Sequence, residues 1–213
     1  MKQISFEDGV DLYITKLENT KLQSDVLKNC ISFLDAANYV PQDNYPYLKD
    51  WGSFDFKKEM IPSNFIEEII KISLNECVEI GIKNQLKFNK ININAWINVV
   101  KTGKPKQSDF KHGGDVTLHN HIDLQKNINS FCPEYTFVYY AQMPDNLTDL
   151  EGTLIVEGKN KKRFYYLPEE GEIVIMKSNL EHSPNHSPNS TKNRIVIAGN
   201  VGFESAKKIS SLI

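Results

Sequence analysis

The chain predicts an α+β fold that is mainly β: a double-stranded β-helix, or jelly roll, with N-terminal helices buttressing one of its sheets. Two observations carry this. Helix-like apolar periodicity is confined to the first 90 residues, and everything beyond reads as short strands separated by turn residues. No repeat, low-complexity segment or linker divides the chain. One domain is therefore expected over 1–213, with a helical elaboration in 1–90 and the jelly-roll core in 91–203.

The elements follow in order. Gly9 to Leu17 alternates apolar and polar residues through Val10, Leu12 and Ile14, as a half-buried strand does. Ser24 and Asp25 are expected to open a helix with Val26, Leu27, Cys30, Ile31 and Leu34 on one face, Cys30 being core filling. Between Tyr39 and Phe56, Pro, Asp, Asn, Tyr and Gly predominate, which predicts an irregular connection. Its Tyr45, Tyr47, Trp51 and Phe54 either anchor it to the core or pack over the mouth of a site. Pro62-Ser63-Asn64 with Glu67 has the form of a capped start, and the helix from Phe65 to about Lys83 buries Ile66, Ile69, Ile70, Leu74, Cys77 and Val78. From Ile91 to Val100 alternation and β-branched residues predict a strand, and Gly103, Lys104 and Pro105 turn the chain. Further strands are expected at Val116–His119, Tyr135–Met143, Gly152–Glu157, Arg163–Leu167, Gly171–Met176 and Arg194–Gly199.

Composition excludes several function classes. A net charge of -2 gives no electrostatic reason to expect a nucleic-acid partner. No apolar run is long enough to span a bilayer, and the N-terminus has no signal-peptide core. Cys30, Cys77 and Cys132 have no metal spacing and cannot all pair, so a reducing, cytoplasmic setting is expected.

The chemistry sits in two short stretches. His119-Asn120-His121-Ile122-Asp123 precedes a run of strands, and Leu180-Glu181-His182, with Arg194 beyond it, follows. On extended backbone residues i and i+2 point the same way, so His119, His121 and Asp123 offer three ligands on one side. Two registers compete, and the first of them is the one expected. His121 and Asp123 with His182 make two imidazoles and a carboxylate on one face of an iron(II) ion, leaving positions open for a co-substrate and oxygen. His119 and His121 with His182 make three imidazoles. In either case the unused group orients a ligand. The His-Asn-His letters do not make an HNH nuclease, whose motif residues are spread over a ββα unit. His112 and His186 are expected to be surface or hydrogen-bonded residues. Arg194 opens a strand and offers a planar fork for a carboxylate, the alternative being a surface ion pair of little energy.

Taken together, these residues resemble the 2-oxoglutarate/Fe(II)-dependent oxygenases, close to a group of uncharacterised bacterial and phage members. The likeness runs from Trp96 to Phe203, about half the chain. It rests on Trp96-Ile97-Asn98, His119-Asn120-His121, Phe137-Val138-Tyr139-Tyr140 with Pro144, and Gly152-Thr153-Leu154-Ile155. Pro168, Gly171-Glu172-Ile173-Val174, Leu180-Glu181-His182-Ser183, Arg194-Ile195-Val196-Ile197 and Asn200 complete it. Matches within the group align on His-Asn-His, favouring three imidazoles, whereas the family's usual carboxylate favours Asp123.

The resemblance implies iron(II) as cofactor, 2-oxoglutarate and O2 as co-substrates, and a small-molecule or peptide substrate. The expected reaction is hydroxylation with release of succinate and CO2. It also implies that Arg194 takes the far carboxylate of 2-oxoglutarate. Relatives often carry a hydroxyl two residues later, where this chain has Val196, so Tyr139 or Tyr140 is expected to replace it. Tyr140 and Asn98 are candidates for lining the co-substrate pocket. Residues 39–56 and Phe131–Glu134 are expected to shape the substrate pocket. The rival reading is a cupin-like metal-binding jelly roll acting as an isomerase or binding module, which has no need of Arg194.

Overall fold

The computed structural model describes residues 1–36, 51–56, 63–100, 118–122 and 132–204. Its strands are β1 (Lys2–Ser5), β2 (Asp11–Lys16), β3 (Trp51–Phe56), β4 (Lys90–Val100), β5 (Tyr135–Gln142), β6 (Leu154–Glu157), β7 (Arg163–Tyr166), β8 (Glu172–Lys177), β9 (Glu181–Pro184) and β10 (Arg194–Glu204). Two helices, α1 (Thr20–Ala36) and α2 (Asn64–Lys83), precede β4. The strands form a seven-stranded sheet in the order β1-β2-β8-β5-β10-β4-β3 and a three-stranded sheet in the order β7-β6-β9. Every pairing is antiparallel. The architecture is mainly β, of the jelly-roll kind.

Period-two alternation divides the larger sheet into two faces. One carries Ala95, Ile97, Phe137, Tyr139, Ile173, Ile175, Ile195 and Ile197, packed with Val26 and Cys30 of α1 and Ile66, Ile69, Cys77 and Ile80 of α2. The other carries Val138, Tyr140, Val174, Met176, Val196 and Ala198, packed with Leu154 and Val156 of the smaller sheet and bordered by Trp96. Burying an Ile or Phe side chain is worth roughly 1.5–3 kcal/mol, so the helix-covered face anchors the sheet. The opposite face is left to line the space between the sheets.

The register of β10 positions the site. It pairs along its whole length with β4, setting Ala198 opposite Trp96, Val196 opposite Asn98 and Asn200 opposite Asn94. On its other side Asn200 faces Thr136 and Val196 faces Tyr140, with a register shift beside Ile195. A bulge re-aims side chains, and here it accompanies Tyr140 at the Arg194 end of the strand. Gly199 makes the crossing possible, since a Cβ there would lie against the Phe137 ring and 2.6 Å from the Asn94 carbonyl oxygen.

Several expectations need correction. Helix α1 starts at Thr20, not Ser24, because the Asn19 side chain accepts the Leu22 N–H at 3.0 Å and caps it there. Ile31 is exposed: the buried stripe runs through Val26 and Cys30, and Ile31 lies about a quarter-turn away. Residues 51–56 are not irregular but form β3, because the long β4 offers its edge to them. Strands β1 and β9 carry too little alternation to be read in advance, and β10 continues to Glu204, beyond the expected Gly199. Ser63 does cap α2, accepting the Ile66 N–H at 3.2 Å, and Cys30 is core filling as expected. Of the expected strand at Val116–His119, only the His119 bridge falls in the described residues; Tyr45, Tyr47, Gly103, His112 and Phe131 lie outside them. Among the described residues no helix is long and apolar enough to cross a membrane.

Candidate metal centre

Two segments bring the histidines together. His119 and His182 exchange main-chain hydrogen bonds, His119 N–H to the His182 carbonyl at 3.1 Å and His182 N–H to the His119 carbonyl at 2.9 Å. This makes the His119 segment a further neighbour of β9, itself set by Val156 opposite His182. His121 is held by its own N–H, which donates to the Ser178 carbonyl at 2.9 Å. Between them, Asn120 donates to Glu181 Oε1 at 2.6 Å, fixing the turn from outside.

The ring nitrogens of His119, His121 and His182 lie within 4.8 Å of one another. Nε2 of His121 and Nε2 of His182 are 3.2 Å apart, with their rings nearly parallel. Two imidazoles bound at right angles to one first-row ion, each at about 2.1 Å, would place their nitrogens about 3.0 Å apart. The donor set therefore fits a metal. The tautomer fits as well. His182 Nδ1 lies 2.9 Å from the Leu180 carbonyl, which can only accept, so Nδ1 carries the proton and Nε2 presents a lone pair.

Electrostatics agree. Burial, then the imidazoles of His182 and His119, push His121 down to about 2. Burial, then His119, push His182 down to about 3, against an upward pull from the Leu180 carbonyl. Both imidazoles are thus neutral, the form a metal requires. Trp96 stacks on His121, ring centroids 5.5 Å apart, and walls one side of the cluster.

Arg194 lies on the same inter-sheet face and is 3% exposed. Its Nη2 donates to Tyr140 Oη at 3.2 Å, and its guanidinium carbon sits 5.0 Å from the centre of that ring. Nη1 is buried with no hydrogen-bond partner among the described residues. Tyr140 is fully buried. Burial raises its hydroxyl and Arg194 opposes that shift. Alternation thus assigns Tyr140 to this face and Tyr139 to the helix-covered one. Asn98 shares the inter-sheet face of β4 opposite Val196. His186 sits in the loop after β9, its N–H donating to Asn185. Asp123 lies outside the described residues.

Sequence reasoning missed the buried polar set beside the histidines. Thr136 Oγ1 donates to Asn200 Oδ1 at 2.9 Å and meets Ser178 Oγ at 2.9 Å, all three residues being buried. A hydroxyl and a carboxamide at inward positions of otherwise apolar strands were the available signal.

No protein-family model and no curated protein sequence matches the chain. Solved structures do. A Pseudomonas putida prolyl-4-hydroxylase superposes with a TM-score of 0.61 at 11% identity, covering 91% of this chain and 92% of the other. The fold is that of the 2-oxoglutarate/iron(II) oxygenases. A 2OG-Fe(II) oxygenase family oxidoreductase from Burkholderia pseudomallei gives 0.55 at 11% identity, covering 92% and 85%. The non-haem alpha-ketoglutarate-dependent epimerase SnoN of nogalamycin biosynthesis gives 0.62 at 8% identity, covering 90% and 77%.

Proposed function

We propose that this chain is a single-domain iron(II)/2-oxoglutarate-dependent dioxygenase, a double-stranded β-helix whose N-terminal helices support the larger sheet. The observation that carries the reading is a pair of neutral, buried imidazole nitrogens 3.2 Å apart on the same inter-sheet face as a buried, half-satisfied arginine. His119, His121 and His182 are the ligands we assign, with Asp123 the rival for the third position. Iron(II) bound there would supply open positions for a keto acid and oxygen, and with them the oxidising power.

The chain's own residues do the rest. Arg194 offers Nη1 to a carboxylate, and Tyr140 holds the guanidinium in place through Nη2. Val196 supplies no hydroxyl, so Tyr140 Oη is the neighbouring polar atom left to support that carboxylate. Trp96 and the apolar residues between the sheets exclude water from the cluster. Hydroxylation of a C–H bond, with release of succinate and CO2, is the reaction we assign. Iron(II) chemistry and three free cysteines suit a reducing, cytoplasmic setting.

The test is an anaerobic titration of iron(II) and then 2-oxoglutarate into the full chain, followed by the visible charge-transfer band of the bound pair. His182→Ala should abolish stoichiometric iron binding. His119→Ala should then lose more iron than Asp123→Ala, and the opposite ranking would put the carboxylate in the ligand set. No band, and no succinate on admitting air, would replace the reading with a cupin-like metal-binding jelly roll.

A further inference from the structure

Resting on the reading above, we propose that Asn94 and Asn200 form a subsite for a secondary amide, so that the substrate carries a peptide-type N–H and C=O. The starting observation is an unmet need. Asn94 Oδ1 is buried without a hydrogen-bond partner, although Asn94 itself is only partly buried. A buried acceptor with no donor is costly, and a ligand N–H would relieve that cost.

The neighbouring strand supplies the complement. Asn94 and Asn200 are directly opposite in the β4–β10 register, and both share the face of Trp96 and Ala198. Asn200 commits its Oδ1 to the Thr136 hydroxyl, which leaves its NH2 as the donor. Thr136 is braced by Ser178 Oγ, and the Ser178 carbonyl holds the His121 N–H. An acceptor on β4 and a donor on β10, side by side, match the N–H and C=O of one amide group. Flipping both carboxamides exchanges the roles and leaves the match intact.

Position separates this pair from the co-substrate. Trp96, opposite Ala198, stacks on His121, so the imidazoles stand level with Ala198. Arg194 is four residues back along β10, about 13 Å, and Asn200 two residues forward, about 7 Å, at a rise of about 3.3 Å per residue. A dicarboxylate reaching from the metal to Arg194 therefore leaves the Asn94–Asn200 side clear. On this side Asn94, Trp96 and His119 are partly exposed, and the buried Asn200, Thr136 and Ser178 lie beneath them.

The experiment is a nitrogen-15 NMR titration of the full chain, without metal or 2-oxoglutarate, using N-methylacetamide and methyl acetate as probes. The amide should shift the Asn94 and Asn200 carboxamide signals and the Trp96 indole signal. It should bind about five- to tenfold more tightly than the ester, the value of one neutral hydrogen bond. Asn94→Leu should erase that preference while leaving iron(II) binding unchanged. Absence of those shifts, equal affinity for the ester, or a preference that survives Asn94→Leu overturns the subsite. Because no metal is present, amide preference without the charge-transfer band removes only the oxygenase reading. A band without amide preference removes only the subsite.

Discussion

Replacing Arg194 by Met should raise the stability of the chain while abolishing its response to 2-oxoglutarate. The guanidinium is 3% exposed and has no carboxylate partner among the described residues. Removing it deletes the Tyr140 hydrogen bond and orphans that hydroxyl, at about 1–3 kcal/mol. Removing the orphaned Nη1 returns a comparable amount. What remains is the ring contact, worth up to about 2 kcal/mol, against several kcal/mol for holding a charge away from water. The net expectation is a gain of about 1–3 kcal/mol, at about 2–4 °C in Tm per kcal/mol for a chain of this size. The assay is anaerobic thermal unfolding of both iron(II)-loaded proteins, with and without 2-oxoglutarate. At a hundredfold excess over Kd the wild type should gain about 2.7 kcal/mol and the variant nothing, so the stability gap closes or inverts. If Arg194→Met loses more than about 2 kcal/mol without 2-oxoglutarate, the arginine is structural and the reasoning fails.

Two more outcomes follow from particular contacts. His121 and His182 have pKa values held far below that of a free imidazole, so the unfolded chain binds more protons than the folded one wherever the two differ. Their contribution is complete above about pH 6.5 and falls by roughly 1.4 kcal/mol per group per pH unit towards about 3. Urea midpoints of the metal-free protein across pH 4–8 check this, and flat midpoints would count against the buried neutral pair. Gly199→Ala drives a Cβ into the Phe137 ring and the Asn94 carbonyl, and a backbone oxygen cannot step aside. A loss of about 1–3 kcal/mol in chemical denaturation is expected.

Much of the fold was legible because its signals are local. The alternation of β4, the Ser63 cap and the apolar stripe of α2 each need only their own residues. His119, His121, His182 and Arg194 were legible as types at a suggestive spacing. What failed was set by partners distant in sequence. Trp51–Phe56 becomes a strand only because β4 offers its edge. The choice of Tyr140 over Tyr139 follows from which face the helices cover, which two adjacent tyrosines cannot reveal. The Thr136–Asn200–Ser178 set joins residues up to 64 apart, so no window along the chain contains it.

The reciprocal main-chain bridge between His119 and His182 has one more consequence. It spaces the two segments that carry the proposed ligands without using either imidazole, so the scaffold is indifferent to which side chains it presents. Donor identity and donor position become separate variables. In the proposed centre, a single substitution at residue 119 would exchange a neutral nitrogen for an anionic oxygen, changing the charge of the donor set while the backbone stays where it is.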